Sequence, residues 1–152
     1  MIGPTGCGKS SFLSGILGEM FKLNGKINVN GSISYVPQIP WIQDISVKEN
    51  ILFGKRFDES LYQQVLTNCS LLEDINTFPA GDSTNFGEKG VSLSIRLKQR
   101  INLARSVYQQ SDIYLLDDCL CHDDEYNSKN IFDSVIGPDS ILKDKVVNFR
   151  LN

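Results

Sequence analysis

The sequence predicts an α/β fold in which a mainly parallel sheet packs against helices. One observation is a glycine-rich loop near the start of the chain, followed at once by a helical pattern from Ser11 to about Leu17. The other is the apolar run Ile113-Tyr114-Leu115-Leu116, which is typical of a strand buried on both faces of a parallel sheet. Two carboxylates, Asp117 and Asp118, end that run.

The glycine-rich loop matches the pattern G-x-x-x-x-G-K-[ST], which cradles phosphate groups. Glycines let the backbone curl so that successive N–H groups point at a polyphosphate, and the lysine reaches the β- and γ-phosphates. The start of the following helix directs the positive end of its dipole at the same anion. The residues predicted to bind the cofactor are Gly3, Pro4, Thr5, Gly6, Cys7, Gly8, Lys9, Ser10 and Ser11.

Between the loop and the buried strand, short patterns predict a hairpin and two helices. The runs from Lys26 to Val29 and from Ser32 to Val36 alternate around Asn30-Gly31, a pairing typical of a β-hairpin. A capping box from Ser46 to Glu49 opens a helix through about Phe53. Asp58 caps the next helix.

The later part of the chain predicts a loop and two further helices. The stretch from Phe78 to Gly90 is polar and rich in turn residues, so we expect a connecting loop there. A helical pattern resumes at about Ile95. A last amphipathic helix should run from about Glu125 to Ile136, where Gly137-Pro138 stops it.

Composition fits one globular domain of 152 residues, with 41% hydrophobic and 22% charged residues. A net charge of -3 argues against nucleic acid as a partner, because phosphate backbones attract basic surfaces. No apolar run approaches the roughly 20 residues that span a bilayer, so we expect no transmembrane segment in this chain. The four scattered cysteines argue against a disulfide scaffold.

The two aspartates after the buried strand predict a metal site beside the phosphate loop. The strand fixes Asp117 where its carboxylate can hold Mg²⁺ through water, and the Ser10 hydroxyl can ligate the same ion. Asp118 follows at the strand end, where it can orient or deprotonate water. The residues by themselves therefore indicate binding of Mg²⁺ and a nucleoside triphosphate.

Further segments, spread in order over nearly the whole chain, carry a resemblance to one family. They are Tyr35–Gln38, Trp41–Gln43, Glu49–Gly54, Gly87–Val91, Lys98–Arg100, Leu103–Arg105, Asp112–Asp118 and Ile131–Pro138. These segments resemble the ABC transporters, and most of all the first nucleotide-binding domain of the multidrug-resistance-associated (C-type) exporters. The segments Tyr35–Gln38, Trp41–Gln43 and Glu49–Gly54 look like the glutamine-loop region of that family. A P-loop kinase or a GTPase fits poorly, since this region has no place there and no Asn-Lys-x-Asp guanine-reading pattern occurs.

The resemblance implies a P-loop NTPase with a RecA-like core, about residues 1–38 and 106–152, and an inserted helical subdomain, about residues 39–105. It implies ATP and Mg²⁺ as cofactors. Gln38 would lie at the junction of core and subdomain, where it would contact Mg²⁺ and sense the γ-phosphate. The catalytic candidates are therefore Asp118 and Gln38. The candidate metal ligands are Ser10, Gln38 and Asp117.

The same resemblance implies the partners and the location. Two nucleotide-binding domains would pair head to tail, so that each ATP lies between one phosphate loop and the partner's signature motif. Asp124 would contact that partner domain. Transmembrane domains of the transporter would receive the signal, which places the chain at the cytoplasmic face of a membrane as part of an integral membrane exporter.

The signature segment departs from the family pattern. It reads Leu93-Ser94-Ile95-Arg96-Leu97 where the family has Leu-Ser-Gly-Gly-Gln. Glycines there let bare backbone N–H groups approach the γ-phosphate on the opposite domain, and the side chains of Ile95 and Arg96 obstruct that approach. Two alternatives are a guanidinium contact from Arg96 to phosphate and a simple extension of the following helix.

The catalytic position and the termini depart as well. Asp118 stands where the family usually has a glutamate, and its shorter side chain would hold water less well. Only Met1 and Ile2 precede the phosphate loop, so the preceding strand and an adenine-stacking aromatic residue are missing. Residues 146–152 do not reproduce the strand that the family closes with a histidine, and Asn152 falls about where that histidine would be.

We therefore expect a chain truncated at both ends. Three functional readings stay open at this point. The chain is an ATP-binding domain that couples hydrolysis to transport, a degenerate half-site with little or no hydrolysis, or a nonfunctional truncated product.

Overall fold

The computed structural model describes residues 6–86 and 92–150 of the chain. Within these residues, one sheet of three parallel strands runs in the order β1 (Ile33–Val36), β2 (Ile113–Asp117), β3 (Val146–Arg150). The α/β class with a parallel sheet is thus confirmed. Both strand-to-strand connections contain helices, as parallel neighbours require.

The central strand is the one that the apolar run predicts. Tyr114 and Leu116 are fully buried, and the strand extends one residue beyond the predicted end, to Asp117. The register pairs Val36 with Leu116 and Asp117 with Arg150. The carboxyl ends of the three strands therefore meet at one edge of the sheet, the edge at which α/β proteins bind ligands.

Helices cover the sheet and fill the connection between β1 and β2. α1 contacts β2, α5 contacts β1, and both α2 and α3 pack on α5. The bounds are α1 (Lys9–Leu17), α2 (Val47–Leu52), α3 (Glu59–Asn68), α4 (Leu72–Asn76), α5 (Ile95–Tyr108) and α6 (Glu125–Ile131). Along the parts of the chain that the structure covers, no helix is long and apolar enough to cross a bilayer.

The predicted helix starts are confirmed by their caps. The Ser46 hydroxyl accepts from the Glu49 backbone N–H at 3.1 Å, and the Glu49 carboxylate accepts from the Ser46 N–H at 3.0 Å, which completes the capping box. Asp58 Oδ1 accepts from the Leu61 N–H at 3.0 Å. A helix does resume at Ile95, capped by the Ser94 hydroxyl.

The predicted hairpin around Asn30-Gly31 is wrong. Residues 26–29 form no strand, and β1 pairs in parallel with β2 instead. Asp112 explains the difference, because its Oδ2 accepts from both the Ser32 N–H and the Ser32 hydroxyl at 2.8 Å. Gly31 has φ 119°, and a Cβ there would lie 2.8 Å from Asp112 Cβ. Glycine at this position therefore permits a close approach to the segment that precedes β2, and it does not form a hairpin turn.

The predicted loop from Phe78 is confirmed as far as the structure describes it, and three other segments differ from expectation. The stretch from Phe78 is a loop with a 3₁₀ turn at Gly81–Ser83 as far as residue 86, and its last residues lie outside the described range. The final helix is α-helical only to Ile131 and then continues as a π-helical turn, Phe132–Ile136, before Gly137. The sequence did not predict α4 or the strand β3, although β3 is the direct neighbour of β2.

Candidate nucleotide-binding site

The phosphate loop leads into α1 through two glycines in the left-handed region. Gly6 has φ 83° and Gly8 has φ 91°, and a Cβ at either position would meet nothing within 4 Å. Backbone conformation, and not crowding, is therefore what requires glycine at these positions. Gly8 caps α1, with its carbonyl accepting from the Phe12 N–H at 2.9 Å. Of the other loop residues, Gly3, Pro4 and Thr5 lie outside the described range.

Lys9 is the first residue of α1 and is only 4% exposed. An ammonium group held at a helix N-terminus adds to the positive end of the helix dipole. Cys7 and Ser11 are exposed at the same end, whereas Ser10 is half-buried. This end of α1 thus has the charge and the donors that a phosphate group needs.

The sheet register brings Gln38 and Asp118 together. Each lies two residues beyond the paired residues Val36 and Leu116, at the carboxyl ends of neighbouring strands. Gln38 Nε2 donates to Asp118 Oδ2 at 3.3 Å. Asp118 is 4% exposed and has φ 53°, in the left-handed region that few residues other than glycine adopt. A buried carboxylate in this conformation is oriented by its backbone as well as by its partner.

Asp117 lies beside the phosphate loop but contacts an arginine that the sequence did not indicate. Arg150 Nη1 donates to Asp117 Oδ1 at 2.5 Å and also to the Ser10 hydroxyl. The Arg150 and Asp117 side chains are 7% and 3% exposed. The Ser10 hydroxyl and the Asp117 carboxylate, two of the predicted metal ligands, are therefore bridged by a guanidinium.

This arrangement does not fit a magnesium ion. Mg²⁺ needs near-octahedral oxygen ligands at about 2.0–2.1 Å, and it cannot share Ser10 and Asp117 with a cation already hydrogen-bonded to both. The amide nitrogen of Gln38, the third predicted ligand, donates to Asp118 at the end of the neighbouring strand. Among residues 6–86 and 92–150, no group of three or more His, Cys, Asp and Glu side chains could hold a metal ion.

The same corner of the sheet has a perturbed tyrosine. The pKa of Tyr35 is raised first by burial and second by the negative charge of Asp117, while Arg150 acts in the opposite direction. Tyr35 lies on β1, directly opposite Leu115. The shift indicates a partly dehydrated environment in which the Asp117 charge is felt across the sheet.

The signature segment forms the start of α5. The Ser94 hydroxyl accepts from the Leu97 N–H at 3.2 Å, so Ile95 and Arg96 occupy the first turn and Leu97 is buried. This is the helix extension that the sequence left open. The Ile95 side chain is 52% exposed at the helix end, where a glycine would leave the backbone bare. Leu93 is half-buried before the cap.

Arg96 is directed at its own chain. Its Nη1 donates to Asp124 Oδ2 at 3.5 Å, and its Nε lies 3.8 Å from Asp123 Oδ1. Asp124 in turn caps α6, accepting from the Asn127 N–H at 2.9 Å, and this bond is the first cause of its lowered pKa. A guanidinium engaged in this way offers little support for the alternative in which Arg96 contacts phosphate. The predicted contact of Asp124 with a partner domain stays a prediction.

The sequence missed Arg150, and one signal could have found it. A strand that follows α6 and pairs with β2 must place some residue opposite Asp117, and the alternation of β3 puts Arg150 there. The segment Gly87–Val91, which carried part of the resemblance, and Asn152, which departs from it, lie outside the described residues.

Comparison with known proteins identifies the family. The sequence profile described as "ABC transporter" matches residues 1–121. ATP-binding cassette sub-family C member 3 of Homo sapiens is 52% identical over 145 residues, which is 95% of this chain and 10% of that protein. Multidrug resistance protein mrp-7 of Caenorhabditis elegans is 52% identical over the same shares. ATP-binding cassette sub-family C member 2 of Homo sapiens is 52% identical over 95% of this chain and 9% of that protein.

The chain spans about a tenth of the length of these relatives. The match of the profile to most of the chain agrees with the glycine-rich turn into α1, the buried β2 and the acidic pair at its end. The chain belongs to the ABC transporter family, as an ATP-binding domain of its sub-family C.

Proposed function

We propose that this chain is a nucleotide-binding half-site of an exporter, which holds ATP through its phosphate loop and hydrolyses it slowly or not at all. The observation that carries the proposal is the start of α1, where left-handed Gly6 and Gly8 and the buried Lys9 form an anion-binding end beside Asp117 and Asp118. In this family such domains bind ATP, generally with Mg²⁺.

The low expected turnover rests on two features of the acidic pair. The Asp118 carboxylate is one methylene shorter than glutamate, and one of its oxygens is engaged by Gln38. A water positioned for a longer side chain would be held outside reacting distance, and small misplacements at a reacting centre lower rates strongly. The sequence also has Asn152, which cannot act as an imidazole does, about where the resemblance places a histidine.

The proposal extends to partners. A second nucleotide-binding domain would supply the signature motif that closes over the phosphate loop, and this chain's segment from Leu93 to Leu97 would face the partner's ATP. Transmembrane domains would receive the resulting motion at the cytoplasmic face of the membrane, an example of ligand-biased domain closure. We also propose that the chain divides into a core, about residues 1–38 and 106–152, and a helical subdomain, about residues 39–105. The boundary between residues 105 and 106 falls within α5.

Titration with a fluorescent ATP analogue tests the binding half of the proposal. We expect saturable but weak binding, with Kd above about 1 μM, because a single half-site lacks the signature motif that a partner domain would add. Lys9→Ala should weaken binding at least about tenfold, since it removes the buried ammonium at the start of α1. The matched control is Lys22→Ala, which removes the same charge from an exposed position. Equal affinities of the two variants, or sub-micromolar binding by the wild type, would contradict the proposal.

A steady-state phosphate-release assay tests the catalytic half. We expect turnover at background level, unchanged by Asp118→Asn, because the asparagine has the same size and its carbonyl can still accept from Gln38. Asp133→Asn, at an exposed position, is the control for the change of charge. Robust turnover that Asp118→Asn abolishes would favour the hydrolysing domain over the slow half-site.

A further inference from the structure

We propose that the Arg150 guanidinium takes the place of the divalent cation in this nucleotide site, so that the chain binds ATP without a requirement for magnesium. The inference rests on the proposed function, since it concerns how the same site binds its ligand. It is carried by the contacts that Arg150 makes with two of the predicted metal ligands, Ser10 and Asp117.

The sheet register, and not a mobile side chain, sets this position. Arg150 is the residue directly opposite Asp117 in the parallel pairing of β3 with β2. Directly paired residues project from the same face of a sheet, and a shift of one residue would move Arg150 to the other face. The preceding pairs, Val147 with Tyr114 and Phe149 with Leu116, place apolar residues against the buried strand and hold that register.

Burial makes the pair difficult to separate. The two side chains are almost entirely removed from solvent, at 7% and 3% exposure. A buried carboxylate that loses its partner is left as an uncompensated charge, which is strongly unfavourable. A magnesium ion would have to displace the guanidinium from both Asp117 and Ser10, and the displaced cation would remain beside the metal, within the same corner of the sheet.

The chemistry of the guanidinium suits the role. It is planar, permanently charged and built to bond oxygen atoms, so it can place beside the phosphates the positive charge that a metal ion would supply. Ser10 is the second residue of α1, which puts Arg150 next to the anion-binding helix end and near Lys9. The phosphates would then meet two side-chain cations from the chain itself, where the predicted site has one lysine and a metal ion.

The test compares the affinity of the wild-type chain for a fluorescent ATP analogue in magnesium buffer and in EDTA. We expect the two Kd values to agree within about threefold. Binding that appears only with magnesium, or tightens more than about tenfold with it, would overturn the inference while leaving the proposed function intact. No binding in either buffer would instead overturn the proposed function, and this inference with it.

Two variants sharpen the comparison. Arg150→Gln removes the charge but keeps an amide donor for Asp117, and we expect it to bind at least about tenfold more tightly with magnesium than in EDTA. Lys143→Gln makes the same chemical change at an exposed site in the same part of the chain and should behave as the wild type does. A far-UV circular dichroism spectrum identifies a variant that fails to fold. If a variant fails to fold, the comparison of wild-type affinities with magnesium and in EDTA still tests the inference, because that comparison needs no substitution.

Discussion

Replacing Arg100 with alanine is expected to destabilise the fold by about 3–5 kcal/mol, because it removes the arginine that is hydrogen-bonded to a buried carboxylate. Arg100 lies on α5 and is 7% exposed. Its Nε donates to Asp123 Oδ1 at 2.9 Å, and its Nη2 contacts the same oxygen. The Asp123 side chain is only 1% exposed, so water cannot replace the lost partner.

The same guanidinium also joins α5 to the segment around α4. Its Nη1 donates to the Ser70 carbonyl at 3.0 Å and to Asp74 Oδ2 at 3.2 Å. Arg100 thus connects three parts of the chain: the helix that starts with the signature segment, the region around α4, and the loop after Asp118. Since the loop after β2 contains Asp123, loss of Arg100 should also loosen the backbone that follows the acidic pair.

Arg96→Ala is the matched control for Arg100→Ala. Both arginines lie on α5 and face the same acidic loop, but the Arg96 side chain is 48% exposed and its nearest carboxylate contact is 3.5 Å. Exposed pairs of this kind contribute about 0–1 kcal/mol. Urea unfolding followed by circular dichroism measures both free energies of unfolding. If Arg100→Ala costs no more than Arg96→Ala, the buried pair is not a main support of this fold.

Much of this site could be predicted from the sequence, because its signals are local. The phosphate loop, the caps at Ser46 and Asp58, and the buried strand before Asp117 each depend on a few neighbouring residues. Gln38 entered through the family resemblance, and its contact with Asp118 depends on a register that only the assembled sheet provides. Local chemistry therefore predicted the parts of the site better than their mutual contacts.

The errors have the opposite character, since each depends on a contact distant in sequence. Asn30-Gly31 is a good hairpin signal, but Asp112 binds Ser32 across 80 positions and leads the chain into a parallel strand. The Asp117–Arg150 contact joins residues 33 positions apart and needs β3, which the sequence did not predict. The alternation of residues 146–150 identifies the residue that faces the phosphate loop only once the register of β3 against β2 is known.

Asn50 supports the loop that follows Gln38. It lies on α2, is fully buried, and uses both the oxygen and the nitrogen of its amide to bond the loop. Oδ1 accepts from the Gln43 N–H at 3.0 Å, and Nδ2 donates to the Gln43 and Ser46 carbonyls at 3.0 Å each. Its Oδ1 also accepts from Arg105 Nη2 at 2.8 Å. Arg105 stacks on Trp41 with its guanidinium carbon 3.9 Å from the ring centroid.

Asn50→Ala should therefore destabilise the protein by about 3 kcal/mol, because it removes the Oδ1 acceptor of the Gln43 N–H and of Arg105 Nη2, and each such loss is worth about 1–3 kcal/mol. The Arg105 guanidinium keeps its bonds to the Asn50 and Trp41 carbonyls, and burial already lowers its pKa to about 10. Asn76→Ala removes the same side chain from an exposed site on α4 and should stay within about 0.5 kcal/mol of the wild type. Urea unfolding measures both variants. We expect the change in Asn50→Ala to reach the loop after Gln38, so amide hydrogen exchange at Gln43 and Ile45 should accelerate in that variant alone; unchanged exchange there would show that the loop does not depend on Asn50.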